Sequence, residues 1–288
     1  MSWIDMVYEY DGTYEGFLCC IYESYVNKEF PIAFAGNEEF PVLTLYSVRS
    51  VETDPSHSDR VLRSISDRSV KAARLLYRAF HTCMDNKEAC LYAFVQKLYA
   101  DGPQFLRFPS DPACYPLYKA VRHLSGELEK LRGFVRFSDY DGILGAEIEP
   151  KNRVLPFLRR HFCSRYAGEV FFLYDRTHGE LLLYKDGRSR IVYMDSLTLA
   201  PPSPQEAEYR KLWKTFFYTI SIEERRNERC QNTFLPKRYR STMTEFQSET
   251  SVIPEASPAD APLLFAPDGI PAPATPPGSA LPAPGSCT

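Results

Sequence analysis

Residues 133–187 read GFVRFSDYDGILGAEIEPKNRVLPFLRRHFCSRYAGEVFFLYDRTHGELLLYKDG. The stretch alternates apolar and polar residues, passes to a helical period and then returns to alternation. Residues 134–137 predict a strand, Asp141-Gly142 a tight hairpin turn, and residues 143–149 its partner. Pro150 ends that strand, because proline has no N–H to give the ladder. A helix is predicted over 154–166, with Pro156 tolerated in its first turn, where few backbone donors have partners. Strands at 170–174, 180–184 and 190–194 follow, joined by turns at 175–179 and Asp186-Gly187. The expected unit is β-β-α-β-β-β, an antiparallel sheet with one helix laid on it.

Working outward, residues 6–10 predict a strand, and Asp11-Gly12 turns it into a helix over 13–25 with Thr13 as its cap. Residues 29–41 contain Pro31, Gly36 and Pro41 and are expected to be irregular. Residues 43–51 alternate like a second strand, so the opening reads β-α-β. Helical patterns then dominate at 56–66, 68–82, 87–100 and 114–131. Beyond the central unit, Pro201, Pro202 and Pro204 mark a linker. Residues 206–222 form an amphipathic pattern with Tyr209, Leu212, Trp213, Phe216, Phe217 and Ile220 on one stripe. Arg210, Lys211 and Lys214 fall opposite, so the aromatic stripe is expected to dock on a core. The fold class is therefore α+β, organised as 1–132, 133–247 and a C-terminal tail from 248 to 288. Ten prolines lie between Pro254 and Pro284, with no basic residue among them. Such a tail buries too little apolar surface to order itself, and cutting after Gln247 is expected to leave the unfolding transition nearly unchanged.

The net charge of −3 hides an uneven distribution. Residues 151–240 carry 18 Lys/Arg against 10 Asp/Glu, between two acidic segments. A basic block of this kind suits an anion-binding face. Eight cysteines occur without a CxxC pair, and Cys19-Cys20 sits in an apolar run where free thiols act as small core residues. No stretch approaches the roughly 18 apolar residues of a membrane span, and the acidic N-terminus is unlike a signal peptide. The expected compartment is a reducing cytoplasm.

Candidate chemistry is sparse. Tyr10-Asp11-Gly12-Thr13 after a strand is similar to the haloacid-dehalogenase-type phosphatases, but Glu9 stands where their nucleophilic Asp belongs. Glu147 and Glu149 share one face of their strand and are candidates for paired-carboxylate chemistry. His161 and Arg165 lie one helical turn apart beside an apolar stripe. These four residues are the catalytic candidates if the chain is an enzyme. His178 is expected to be exposed in a hairpin turn. The five scattered histidines show no metal-ligand spacing, so neither metal nor cofactor is expected. The densest signal is at 225–240, where Arg225, Arg226, Arg229, Lys237, Arg238 and Arg240 surround Phe234 and Tyr239. Such cations neutralise phosphates, and such aromatics stack on bases.

Together these motifs carry a resemblance. The opening Tyr10-Asp11-Gly12-Thr13-Tyr14-Glu15-Gly16 is followed by Gly133-Phe134-Val135-Arg136-Phe137, Ile148-Glu149-Pro150, Val154-Leu155-Pro156, His161-Phe162 and Tyr174-Asp175. Leu212-Trp213-Lys214, Arg226-Asn227 and Gln231 complete the set. Over residues 5–247 the chain resembles a bacterial family of DNA-metabolism proteins whose C-terminal portion is a domain of unknown function. That resemblance implies a partnership with a radical-SAM protein acting in DNA repair or modification, and similar domains occur fused to a uracil-DNA glycosylase-like domain. It carries over no catalytic residue. The expectation is a DNA-binding accessory protein; the alternatives are an enzyme acting directly on nucleic acid and a protein-interaction adaptor.

Overall fold

The computed structural model describes residues 3–36, 46–194, 196–199 and 202–247. The tail from 248, Pro201 of the linker and the first part of the strand expected at 43–51 lie outside the described residues. The chain forms two compact units. One holds Met1–Glu129 with Lys151–Val154, the other Lys130–Pro150 with the residues from Leu155 onward.

The first unit contains a three-stranded parallel sheet in the order β2-β1-β3, from β1 (Ile4–Glu9), β2 (Glu29–Ala35) and β3 (Ser47–Ser50). Helix α1 (Tyr14–Asn27) crosses between β1 and β2, capped by the Thr13 hydroxyl, which accepts from Gly16 N at 2.9 Å. Asp11 is spent on this turn: its carboxylate accepts from the Thr13 amide and hydroxyl and from the Thr53 hydroxyl. Residues 29–35, expected to be irregular, are a strand. Pro31 is accommodated because β2 lies at the sheet edge, where one row of backbone donors is not needed, and the register with β1 shifts between Met6 and Val7 beside it. Helices α2 (Pro55–Arg68), α3 (Val70–Phe80), α4 (Lys87–Asp101) and α5 (Tyr115–Phe134) follow, close to their predicted limits. Phe17, Ile65, Leu76, Leu91 and Phe94 fill the core between sheet and helices, and Cys19 and Cys20 are fully buried among them.

Two polar knots brace this unit. The buried Glu127 carboxylate accepts from the Lys151 and Asn152 amides and from Asn152 Nδ2 at 2.6 Å, which fixes the 151–154 turn. Across the sheet, Glu29 accepts two hydrogen bonds from Arg49 and one from the Tyr8 hydroxyl. The Arg49 guanidinium, helped by that hydroxyl, holds the Glu29 carboxyl below its ordinary value against the opposing effect of burial. A carboxyl depressed in the folded state stabilises above its unfolded value and loses that contribution as pH falls through the folded one. Glu29→Gln is therefore expected to cost about 1–2 kcal/mol near neutrality. The difference from wild type should shrink below about pH 4, which urea titrations at the two pH values would measure.

The second unit is built on a five-stranded sheet in the order β4-β5-β6-β7-β8. Its strands are β4 (Ser138–Tyr140), β5 (Ile143–Ile148), β6 (Val170–Asp175), β7 (Glu180–Lys185) and β8 (Arg188–Tyr193). The sheet is mixed, not wholly antiparallel: β5 and β6 run parallel, because α6 (Leu155–Arg165) is a crossover returning the chain to the same end. The α+β class stands. Residues 134–137, expected as a strand, instead finish α5 and lead into β4. Phe137 there anchors an aromatic cluster with Phe162, Tyr166 and Phe171, at centroid distances of 4.9–5.7 Å. Leu155, Leu158 and Phe162 bury the inner face of α6. On the opposite face, Phe172, Tyr174, Leu181 and Leu183 are covered by Met194, Leu197 and Leu199.

Candidate nucleic-acid interface

The segment after the sheet carries α7 (Pro204–Thr219), a short turn at Glu223–Arg225, α8 (Glu228–Phe234) and a further turn at Lys237–Thr242. Ser203 caps α7 through Glu206 N and Asn227 caps α8 through Cys230 N. The seating of α7 corrects the sequence expectation. Its contact face is Glu206, Arg210, Trp213, Lys214 and Phe217, so only Trp213 and Phe217 of the expected stripe dock, while Tyr209, Leu212, Phe216 and Ile220 point outward. Glu206 is buried and accepts from the Asp139 amide and from Arg210. Arg210 also donates to Ser138 Oγ, and Lys214 donates to the Gln247 carbonyl. Phe217 meets Phe246 edge-on at 5.6 Å.

One carboxylate organises this docking. Glu245, 2% exposed, accepts from Arg136 Nε at 3.3 Å and Nη2 at 2.8 Å and from the Trp213 indole N–H at 3.2 Å. The Arg136 guanidinium also lies over the Trp213 ring. Polar contacts therefore outcompete the aromatic stripe for the sheet unit, and Tyr209, Leu212, Phe216 and Ile220 remain 53–65% exposed.

The basic block divides in two. Arg225, Arg226 and Arg229 are exposed along α8 and the turn before it, Lys237 is exposed beyond its end, and Phe234 is 72% exposed between them. Arg226 has a weak 3.4 Å partner in Glu228 on the same surface. The other members are structural. Tyr239, expected to stack on bases, is 3% exposed and packs against Phe134 at 5.6 Å. Arg238 lies over its ring and donates to its hydroxyl. Arg240 donates to Asn232 Oδ1 and the Leu235 carbonyl and covers Phe246. No neighbour-blind pattern separates Arg229 from Arg240; only the fold does.

The four catalytic candidates are not brought together. Glu147 and Glu149 lie at the C-terminal end of β5, bridged by Arg176 Nη1 at 4.0 and 3.0 Å. Burial raises the Glu147 carboxyl above its ordinary value, with Arg176 opposing. Ser241 also reaches Glu149 at 3.4 Å. Arg165 ends α6, and the next strand begins at Val170, paired with Ile143 at the start of β5. The sheet thus separates Arg165 from Glu149 by about 20 Å of strand. His161 meets the Phe162 ring edge, and Arg165 covers Tyr166.

His178 is another correction. It is not an exposed turn residue: its side chain is 16% exposed, and Nδ1 meets Oδ2 of the fully buried Asp175 at 2.7 Å. Asp175 Oδ1 also accepts the Thr177 and His178 amides. The pair closes the β6–β7 hairpin, and the Asp-x-x-His spacing across the turn was its sequence signal. Among the described residues, no group of three or more His, Cys, Asp or Glu side chains is placed to hold a metal ion. No helix among them is long and apolar enough to cross a membrane.

The chain is thus an α+β protein whose second unit presents an exposed basic and aromatic surface beyond a mixed sheet. A family model described as a domain of unknown function, DUF4130, matches residues 85–245, and the chain belongs to that family. No curated protein matches it.

Proposed function

We propose that this chain is a DNA-binding accessory protein in DNA repair or modification, acting with a radical-SAM partner. The observation that carries the DNA-binding part is the joint exposure of Arg225, Arg226, Arg229 and Lys237 around an exposed Phe234. Cations that make no strong internal ion pair are free to replace counterions on phosphates, and a solvated aromatic face between them offers a platform for an unpaired base. The resemblance to DNA-metabolism proteins supports the biological setting and the radical-SAM partnership.

Fluorescence anisotropy with labelled single- and double-stranded oligonucleotides at about 50 mM salt tests the proposal. Phe234→Ala is expected to cost about 1 kcal/mol on single strands, where a base is free to stack, and little on duplex. Equal losses on both would remove Phe234 from base contact. An absence of binding by the wild-type protein would remove DNA altogether. Co-purification with the radical-SAM protein from cells tests the partnership separately.

The adaptor alternative has its own supporting observation in the outward stripe Tyr209, Leu212, Phe216 and Ile220. Spacing of i, i+3, i+7 and i+11 is the pattern by which helices engage protein partners. The enzyme alternative has less, since its four candidate residues do not converge.

A further inference from the structure

An apolar helix face left to water needs an occupant, and this one lies beside the exit of the described chain. Lys214 Nζ holds the Gln247 carbonyl at 2.8 Å, and Phe246 packs on Phe217. The last described residue, Gln247, therefore sits against α7. We propose that the outward face of α7, formed by Tyr209, Leu212, Phe216 and Ile220, is the docking site of this chain's own residues 248–288, with Leu263, Leu264 and Phe265 as the anchors.

Reach, charge and effective concentration all support that occupant. Leu263 lies sixteen residues beyond Gln247 in the sequence, and a random-coil chain of sixteen residues has an end-to-end distance of roughly 22 Å. The stripe from Tyr209 to Ile220 is about 16 Å long at the helical rise. The segment holds four acidic residues, Glu249, Glu255, Asp260 and Asp268, and no Lys or Arg. Residues 204–240, by contrast, carry nine Lys/Arg against five Asp/Glu. Leu263-Leu264-Phe265 is the one run of three large apolar residues in the segment. Tethering supplies an effective concentration in the millimolar range. A contact with an intrinsic dissociation constant of about 0.1 mM would then be about 90% occupied. A second copy of the chain has no such advantage, because nothing tethers it to this face.

Docking would also place acidic side chains beside Arg225, Arg226 and Arg229, so that DNA must displace the segment. That consequence rests on the DNA-binding proposal; the docking does not. Both are read in the full chain carrying Trp3→Phe, which leaves Trp213, at the edge of the stripe, as the sole tryptophan. The comparison is with the same protein bearing Leu263→Ser, Leu264→Ser and Phe265→Ser.

The triple change should shift Trp213 emission to the red and raise its quenching by acrylamide. It should also tighten DNA binding about tenfold at low salt, since the competent fraction rises from about a tenth toward one. Unchanged Trp213 emission and quenching would overturn the proposal. So would an emission shift that follows protein concentration with a doubled mass in light scattering, which would assign the face to a second copy. A red shift without DNA affinity in either protein would leave the docking in place and remove the DNA-binding proposal instead.

Discussion

Glu245→Ala is expected to lower the unfolding free energy by about 3 kcal/mol. Glu245 has almost no contact with solvent and accepts from Arg136 and from the Trp213 indole. Removing the carboxylate leaves a guanidinium whose side chain is only 25% exposed, and an indole N–H, without their acceptor. The cost of breaking such a pair comes mainly from the partner stranded in a poorly solvated place. Because α7 docks through this group, a few other polar contacts and Phe217 on Phe246, its exposed residues Tyr209, Leu212, Phe216 and Ile220 give no compensating grip. Glu245→Gln retains an acceptor for the indole but loses the charge, so it should cost less than alanine. Urea denaturation at neutral pH measures both variants. A loss under about 1 kcal/mol for Glu245→Ala would mean that α7 is held by something other than this carboxylate.

The combined change of Arg225, Arg226 and Arg229 to Ala should weaken DNA binding on the order of 10- to 100-fold at about 50 mM salt. Each of these residues is exposed, and none is fixed to the core. The unfolding transition should therefore move little, as surface changes away from structural contacts usually do. Loss of phosphate contacts acts on every sequence alike. The same substitutions at Arg238 and Arg240 should behave in the opposite manner. Those side chains cover Tyr239 and Phe246, so their loss registers first in stability. A triple variant that binds DNA as tightly as wild type would move the interface off α8.

Much of the fold was legible because local period and tertiary demand agree. The helices at 55–68, 70–80, 87–101 and 115–134 have apolar faces at helical spacing and meet a common core, so pattern and structure coincide. The misreadings occur where a neighbour decides. Pro31 argues against a strand unless one knows that β2 is an edge. Residues 134–137 alternate like a strand, yet Phe137 is needed by an aromatic cluster and Arg136 by Glu245, more than 100 residues away. The orientation of α7 failed for the same reason. Its aromatic stripe has the stronger hydrophobic signal, but Asp139, Ser138 and Gln247 offer specific polar partners to Glu206, Arg210 and Lys214, and Glu245 takes only Trp213 from the stripe. Tyr239 and Phe234 look alike in the sequence, and only the position of Phe134 buries one of them. The candidate site was legible as a region, through charge density, but not residue by residue.

The most direct test of the account is the salt dependence of the wild-type protein's affinity for DNA, measured between about 50 and 200 mM. With Arg225, Arg226, Arg229 and Lys237 on phosphates, the slope of log affinity against log salt should be about −3 to −4. Undetectable binding at the lowest salt, or an affinity independent of salt across that range, would contradict an electrostatic DNA interface on this surface.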